Sequence, residues 1–142
     1  MDSVRHEDRI FVRLERGEEI ISSLEDLRAK YKIENGFLQG IGAVDRVKLG
    51  NYNVEEQEYR EEEFNGSFEV PCFSGNIGPD KIHTHITVSD ESFVPKAGHC
   101  GVARVSGTFE LIIVTSEEIP LRHQFDPETG LDVFDFSSDK GS

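Results

Sequence analysis

His83 and His85 stand one residue apart, and His99 follows Gly98 a little further along the chain. Imidazole nitrogen is a ligand for zinc and for other first-row divalent ions, and three imidazoles around one ion leave a position open for water or a small ligand. In an extended segment, side chains two apart share a face. His83 and His85 are therefore expected to point the same way, with Cα atoms roughly 6 to 7 Å apart. His99, in the glycine-bounded stretch Gly98 to Gly101, is the expected third ligand, delivered by a turn. The chemistry implied is a metal centre whose ion polarises oxygen or activates water on a small carbonyl or carboxylate compound. A binding or scaffold module with a structural metal is the alternative.

A carboxylate beside such an ion would serve as fourth ligand, as orienter of an imidazole, or as a base. Glu110 is the catalytic candidate. It shares a strand face with Ile112 and Val114, and an acid on so apolar a face needs a partner, which an Arg would also provide. Glu69 is a weaker candidate, and Asp90 and Glu91 read as turn residues. His6 and His123 lie in polar, charged contexts and read as surface residues. Cys72 and Cys100 form no C-x-x-C pair and read as small buried side chains, although Cys100 adjoins His99. The chain has no Gly-x-Ser-x-Gly elbow, so covalent hydrolysis has no support.

The elements that must position these residues follow from periodicity. Ile82 to Ser89 alternates, with Ile82, Thr84, Ile86 and Val88 on the face opposite the histidines. Arg9 to Leu14 alternates likewise and ends before Gly17. Ile20, Ile21, Leu24, Leu27 and Tyr31 then recur at helical spacing, with acids first and Arg28, Lys30 and Lys32 last, which suits the helix dipole. Gly36 to Tyr52 reads as a long strand bent at its glycines, with a ligand-contacting loop as the alternative. Glu55 to Glu63 reads as a solvated hairpin connection, with an acidic docking patch as the alternative. Phe64 to Phe73 is a strand in which Pro71 marks an edge or a bulge, and Ser74 to Asp80 reads as a turn. Val102 to Val114 supplies the most apolar strands, interrupted at Ser106-Gly107. The tail past Pro120 is expected to pack late or against a neighbouring subunit. This pattern predicts a single α+β domain over 1–142, core about 9–114 and tail 115–142, with a mostly antiparallel sheet and one or two helices.

With 142 residues and ten Phe the chain has material for one core. A net charge of −13 argues against unaided binding to nucleic acid, because that affinity comes from Lys and Arg displacing counterions. No apolar run of about 18 residues is present. The amino-terminal residues are too polar for a signal peptide, so a cytoplasmic location is expected.

Six segments carry a family likeness: Leu14-Glu15-Arg16-Gly17-Glu18-Glu19, Gly40-Ile41-Gly42-Ala43-Val44, Phe64 to Val70, Ser74-Gly75-Asn76-Ile77, His83 to Asp90, and Gly98-His99. Together they resemble the plant-and-prokaryote-conserved (PPC) domain from about Arg9 to Val114. The resemblance implies an α+β fold, a homotrimer, and a distant structural likeness to the acetolactate decarboxylase group, in which three histidines hold zinc. It assigns such a metal to His83, His85 and His99. Plant members add an AT-hook whose Arg-Gly-Arg core is absent here, so their DNA-binding role does not follow, and a DNA-associated regulatory role through a partner is the weakest alternative the resemblance implies. The plant partner-binding motif has Arg where this chain has Ser67, and an apolar residue where it has Pro71.

Overall fold

The computed structural model describes residues 1–116 and 118–137. Its elements run β1 (Asp2–His6), β2 (Arg9–Glu15), α1 (Ile20–Tyr31), β3 (Gly36–Asn53), β4 (Glu58–Ile77), β5 (Ile82–Ser89), β6 (Pro95–Thr115), β7 (His123–Asp126) and β8 (Leu131–Phe134). The six-stranded sheet has the order β1-β2-β6-β3-β4-β5, and every pairing in it is antiparallel. β5 also pairs with the first part of β6, so β3, β4, β5 and β6 close on one another. With one helix among the described residues, the fold is α+β and mostly antiparallel sheet.

Alternation sets which side of each strand is buried. Ile10, Val12 and Leu14 of β2 go inward and Phe11 and Arg13 outward. Inside, Phe73 and Phe109 meet edge to face with centroids 5.4 Å apart, in one buried cluster with Leu38, Val44, Val47, Val70 and Ile86. α1 buries Ile20, Leu24 and Leu27 and packs along β6. Its N-cap is Glu19, whose carboxylate accepts from Ile21 N at 3.1 Å and Ser22 N at 2.7 Å. The same carboxylate accepts from Ala103 N of β6 at 3.0 Å and so fixes the helix to the sheet. The helix stops at Lys32, which turns left-handed (φ 52°) and returns its N–H to Arg28 O.

Several sequence expectations are corrected by the fold. Residues 74–77 and 98–101 are strand rather than turn, lying inside β4 and β6. Gly98 is small because β3 passes close by: a β-carbon there would come within 2.6 Å of Gly50 O. Of the acidic stretch, Glu58 to Glu63 is already β4, with Glu63 bidentate to Arg46 at 3.1 and 2.9 Å and Glu61 at 3.3 Å from Lys48. The polar amino terminus forms β1 as an edge strand on β2. β6 continues as one strand through Ser106 and Gly107, but its register with β3 slips there, between Phe109 and Val105. Pro71 does mark a bulge: the β4–β5 register slips between Glu69 and Cys72, and Cys72 is exposed as a result.

The tail forms the β7–β8 hairpin and docks on its own chain. Leu121 N donates to Glu34 O, Asn35 Nδ2 to Ile119 O, and Tyr52 Oη to Thr129 O. Among the described residues no helix is long and apolar enough to cross a membrane.

Candidate metal centre

β5 presents its core face through Thr84, Ile86 and Val88, which are buried, and this sends His83 and His85 to the other side. In β6 the buried residue is Cys100, so alternation turns His99 outward. His85 and His99 are register partners, which sets all three rings on one patch. Nε2 of His83 and Nε2 of His85 are 3.2 Å apart. Ring centroids are separated by 5.1 Å (His83 and His85), 5.2 Å (His83 and His99) and 5.7 Å (His85 and His99). One nitrogen from each of the three lies within 4.8 Å of the others. Two nitrogens bound tetrahedrally to zinc at 2.0–2.1 Å are about 3.3 Å apart, so this donor set fits an ion after small rotations of the rings.

The electrostatics favour the neutral form of His83 and His99. Burial pushes His83 down to about 4, and the neighbouring His85 and His99 act in the same direction. Burial also lowers His99, with His85 and Lys81 adding to it and Glu61 opposing. A neutral imidazole at pH 7 has the lone pair that a metal requires. Cys100 is not part of the centre. Its side chain is in the core, and burial pushes its thiol up to about 12.

The structure does not bring Glu110 to the histidines. Positions 99 and 110 are eleven residues apart in one strand, a contour of about 36 Å. The face it shares with Ile112 and Val114 is the outer one, while Phe109, Leu111 and Ile113 fill the core. Its neighbours across the sheet are Arg13 and Ile41. Glu69 is also exposed. His123, expected at the surface, is largely covered: its side chain is 7% exposed, Nδ1 is 3.2 Å from Asp80 Oδ1, and its ring lies 5.2 Å from that of Phe134.

Two residues near the centre were missed by sequence reasoning. Tyr59 of β4 stands edge-on to His99 with centroids 6.1 Å apart, and its Oη donates to Glu61 Oε1 at 3.2 Å. The available signal was an aromatic residue inside the stretch Glu55 to Glu63, two positions before Glu61 and hence on its face.

Comparison with known proteins agrees with this fold. A family model described as the Plants and Prokaryotes Conserved (PCC) domain matches residues 1–117. A protein of Bacteroides thetaiotaomicron, described as a candidate DNA-binding protein, superposes with TM-score 0.89 at 24% identity, covering 95% of this chain and 96% of that one. The metal-containing protein AF0104 of Archaeoglobus fulgidus gives 0.83 at 25% identity, covering 89% and 91%. An α-acetolactate decarboxylase of Bacillus subtilis shares the fold more distantly, with TM-score 0.57 at 12% identity, covering 84% of this chain and 57% of that one. Among curated proteins, the bifunctional protein GlmU of Synechococcus sp. (strain JA-2-3B'a(2-13)) is 27% identical over 127 residues, 84% of this chain. The chain spans 18% of that relative's length.

Proposed function

Since the chain belongs to the Plants and Prokaryotes Conserved domain family, we propose that it is a metal-binding member in which His83, His85 and His99 hold one divalent first-row ion, zinc by preference. The observation that carries this reading is the convergence of three imidazoles on one patch, two of them with Nε2 atoms 3.2 Å apart. The metal-containing relative from Archaeoglobus supports it. When bound, the ion supplies Lewis acidity toward an oxygen of a small carbonyl or carboxylate ligand. The chain's own contribution is to bind the ion through nitrogen, to favour the unprotonated form of His83 and His99 by burial, and to leave the exposed side of His85 open to a ligand. The sequence of the chain adds net negative charge, which gives no support to a direct grip on DNA.

Elemental analysis of protein purified without a polyhistidine tag and without chelators tests the reading. About one ion per chain is expected, falling to near zero in His83→Ala and His99→Ala variants that keep the wild-type circular dichroism spectrum. Folded wild-type protein free of metal under those conditions would overturn it.

A second property is favoured by a separate observation. Phe11, Phe37, Ile41, Ile112 and Val114 are all more than 40% exposed and lie next to one another across β2, β6 and β3. An apolar sheet face of this kind suits burial against further copies of the chain, in keeping with a homotrimer.

A further inference from the structure

β3, β6 and β4 meet at one level of the sheet: Gly50 pairs with His99 on one side and with Glu61 on the other. Tyr59 lies across Gly50, and a β-carbon at position 50 would overlap its Oη. Position 50 is therefore a notch in the outer face, filled by a side chain from β4. The Tyr59 ring meets the His99 ring at an interplanar angle of 77°, edge to face. Its hydroxyl is held by Glu61, which is in turn within 3.3 Å of Lys48. On its other flank, across the β5–β6 pair, His99 faces His85.

We propose that Tyr59 is a positioning residue of the metal centre: seated in the Gly50 notch and tied to Glu61, it confines the His99 imidazole to the orientation that meets His83 and His85. The proposal rests on the metal reading above and adds the residue that organises one of its ligands. An imidazole on an exposed strand face otherwise samples several rotamers, and ordering it on binding costs affinity. A ring standing against it removes that freedom before the ion arrives. Nothing in this role needs the phenol to titrate. Burial, with the Glu61 carboxylate beside it, holds the hydroxyl above its usual range, so it remains a donor.

The test is zinc affinity of the full chain, measured by competition with a chelating indicator, in Tyr59→Ala, Tyr59→Phe, Gly50→Ala and the Gly50→Ala/Tyr59→Ala double variant. Tyr59 is 48% exposed, so its truncation leaves the core intact. Outer residues that orient metal ligands are worth roughly 10- to 100-fold in affinity. Tyr59→Ala and Gly50→Ala should each lose about tenfold, whereas Tyr59→Phe, which keeps the ring, should stay within about threefold of wild type. Gly50→Ala should add no loss to Tyr59→Ala, because no ring remains to be displaced. Zinc binding by Tyr59→Ala within about twofold of wild type, or losses that add in the double variant, would overturn the proposal. If the wild-type chain takes up no zinc, the metal reading fails on its own. The positioning of His99 is then decided in the metal-free protein by its ring carbon–proton NMR signals: Tyr59→Ala should shift and broaden them, and unchanged signals would overturn it.

Discussion

His85 and His99 are paired residues of adjacent antiparallel strands, fourteen positions apart in the chain and joined by the β5–β6 register. Directly opposed residues in such a pair carry their side chains on the same face with β-carbons about 4.5–5.5 Å apart. The third imidazole therefore reaches the centre through strand pairing and not through a turn. A one-residue slip of β6 would bury His99 and turn Cys100 outward.

The metal-free fold should lose stability as pH falls. His83 is held at about 4, against 6.5 for an ordinary imidazole. Between those values the unfolded chain binds a proton that the folded chain does not, so stability present above about pH 6.5 declines toward pH 4 and, for this group, declines no further below it. His99 is displaced in the same direction and adds to the effect. After discounting for solvent screening at a half-buried site, about 1–2 kcal/mol should separate pH 7 from pH 4. Urea unfolding of the metal-free protein at a series of pH values measures it, and His83→Gln should flatten the profile.

Glu110→Gln should leave metal content unchanged and alter stability by no more than about 0.5 kcal/mol, as expected for an exposed residue of the outer face. Elemental analysis beside a thermal melt checks both halves. A loss of metal would restore Glu110 to the centre against the geometry.

Glu19 closes three backbone donors at once, two at the start of α1 and one on β6. Glu19→Ala removes the cap and leaves Ala103 N without its acceptor, and should cost about 2 kcal/mol in denaturant unfolding. Because the same carboxylate joins helix and sheet, hydrogen exchange should quicken in α1 and near Ala103 together.

Ile41 is 57% exposed and pairs with Glu110, while Phe37 pairs with Val114 on the same outer face. Ile41→Lys should break self-association without unfolding the chain, since it places a charge on the apolar surface that the proposed trimer would cover and removes nothing from the core. Sedimentation analysis is expected to give three chains for the wild type and a smaller species for the variant. A wild-type monomer would exclude the homotrimer.

The two periods that sequence carries openly proved sufficient for β5 and for α1. Period two in Ile82 to Ser89 put Thr84, Ile86 and Val88 inside and His83 and His85 outside, and period 3.6 located the helix that buries Ile20, Leu24 and Leu27. The face Glu110 shares with Ile112 and Val114 was legible, but not its distance from the histidines: Thr108 to Val114 is apolar on both faces, and period alone does not distinguish core from outer face in such a run. Glycine was misread at position 98 for a related reason. The residue that permits a turn also permits a neighbouring strand to come close, and only the neighbour decides which.

The sequence by itself therefore determined the pair of histidines on one face, the alternating core and the helix with its charge order, because each depends on residues a few positions apart. Tertiary structure alone decided that His99 lies opposite His85, that Tyr59 fills the space over Gly50, and that Glu110 stands away from the centre. Those relationships depend on strand order and register, which are set by how the whole set of apolar faces is buried together and not by any one segment.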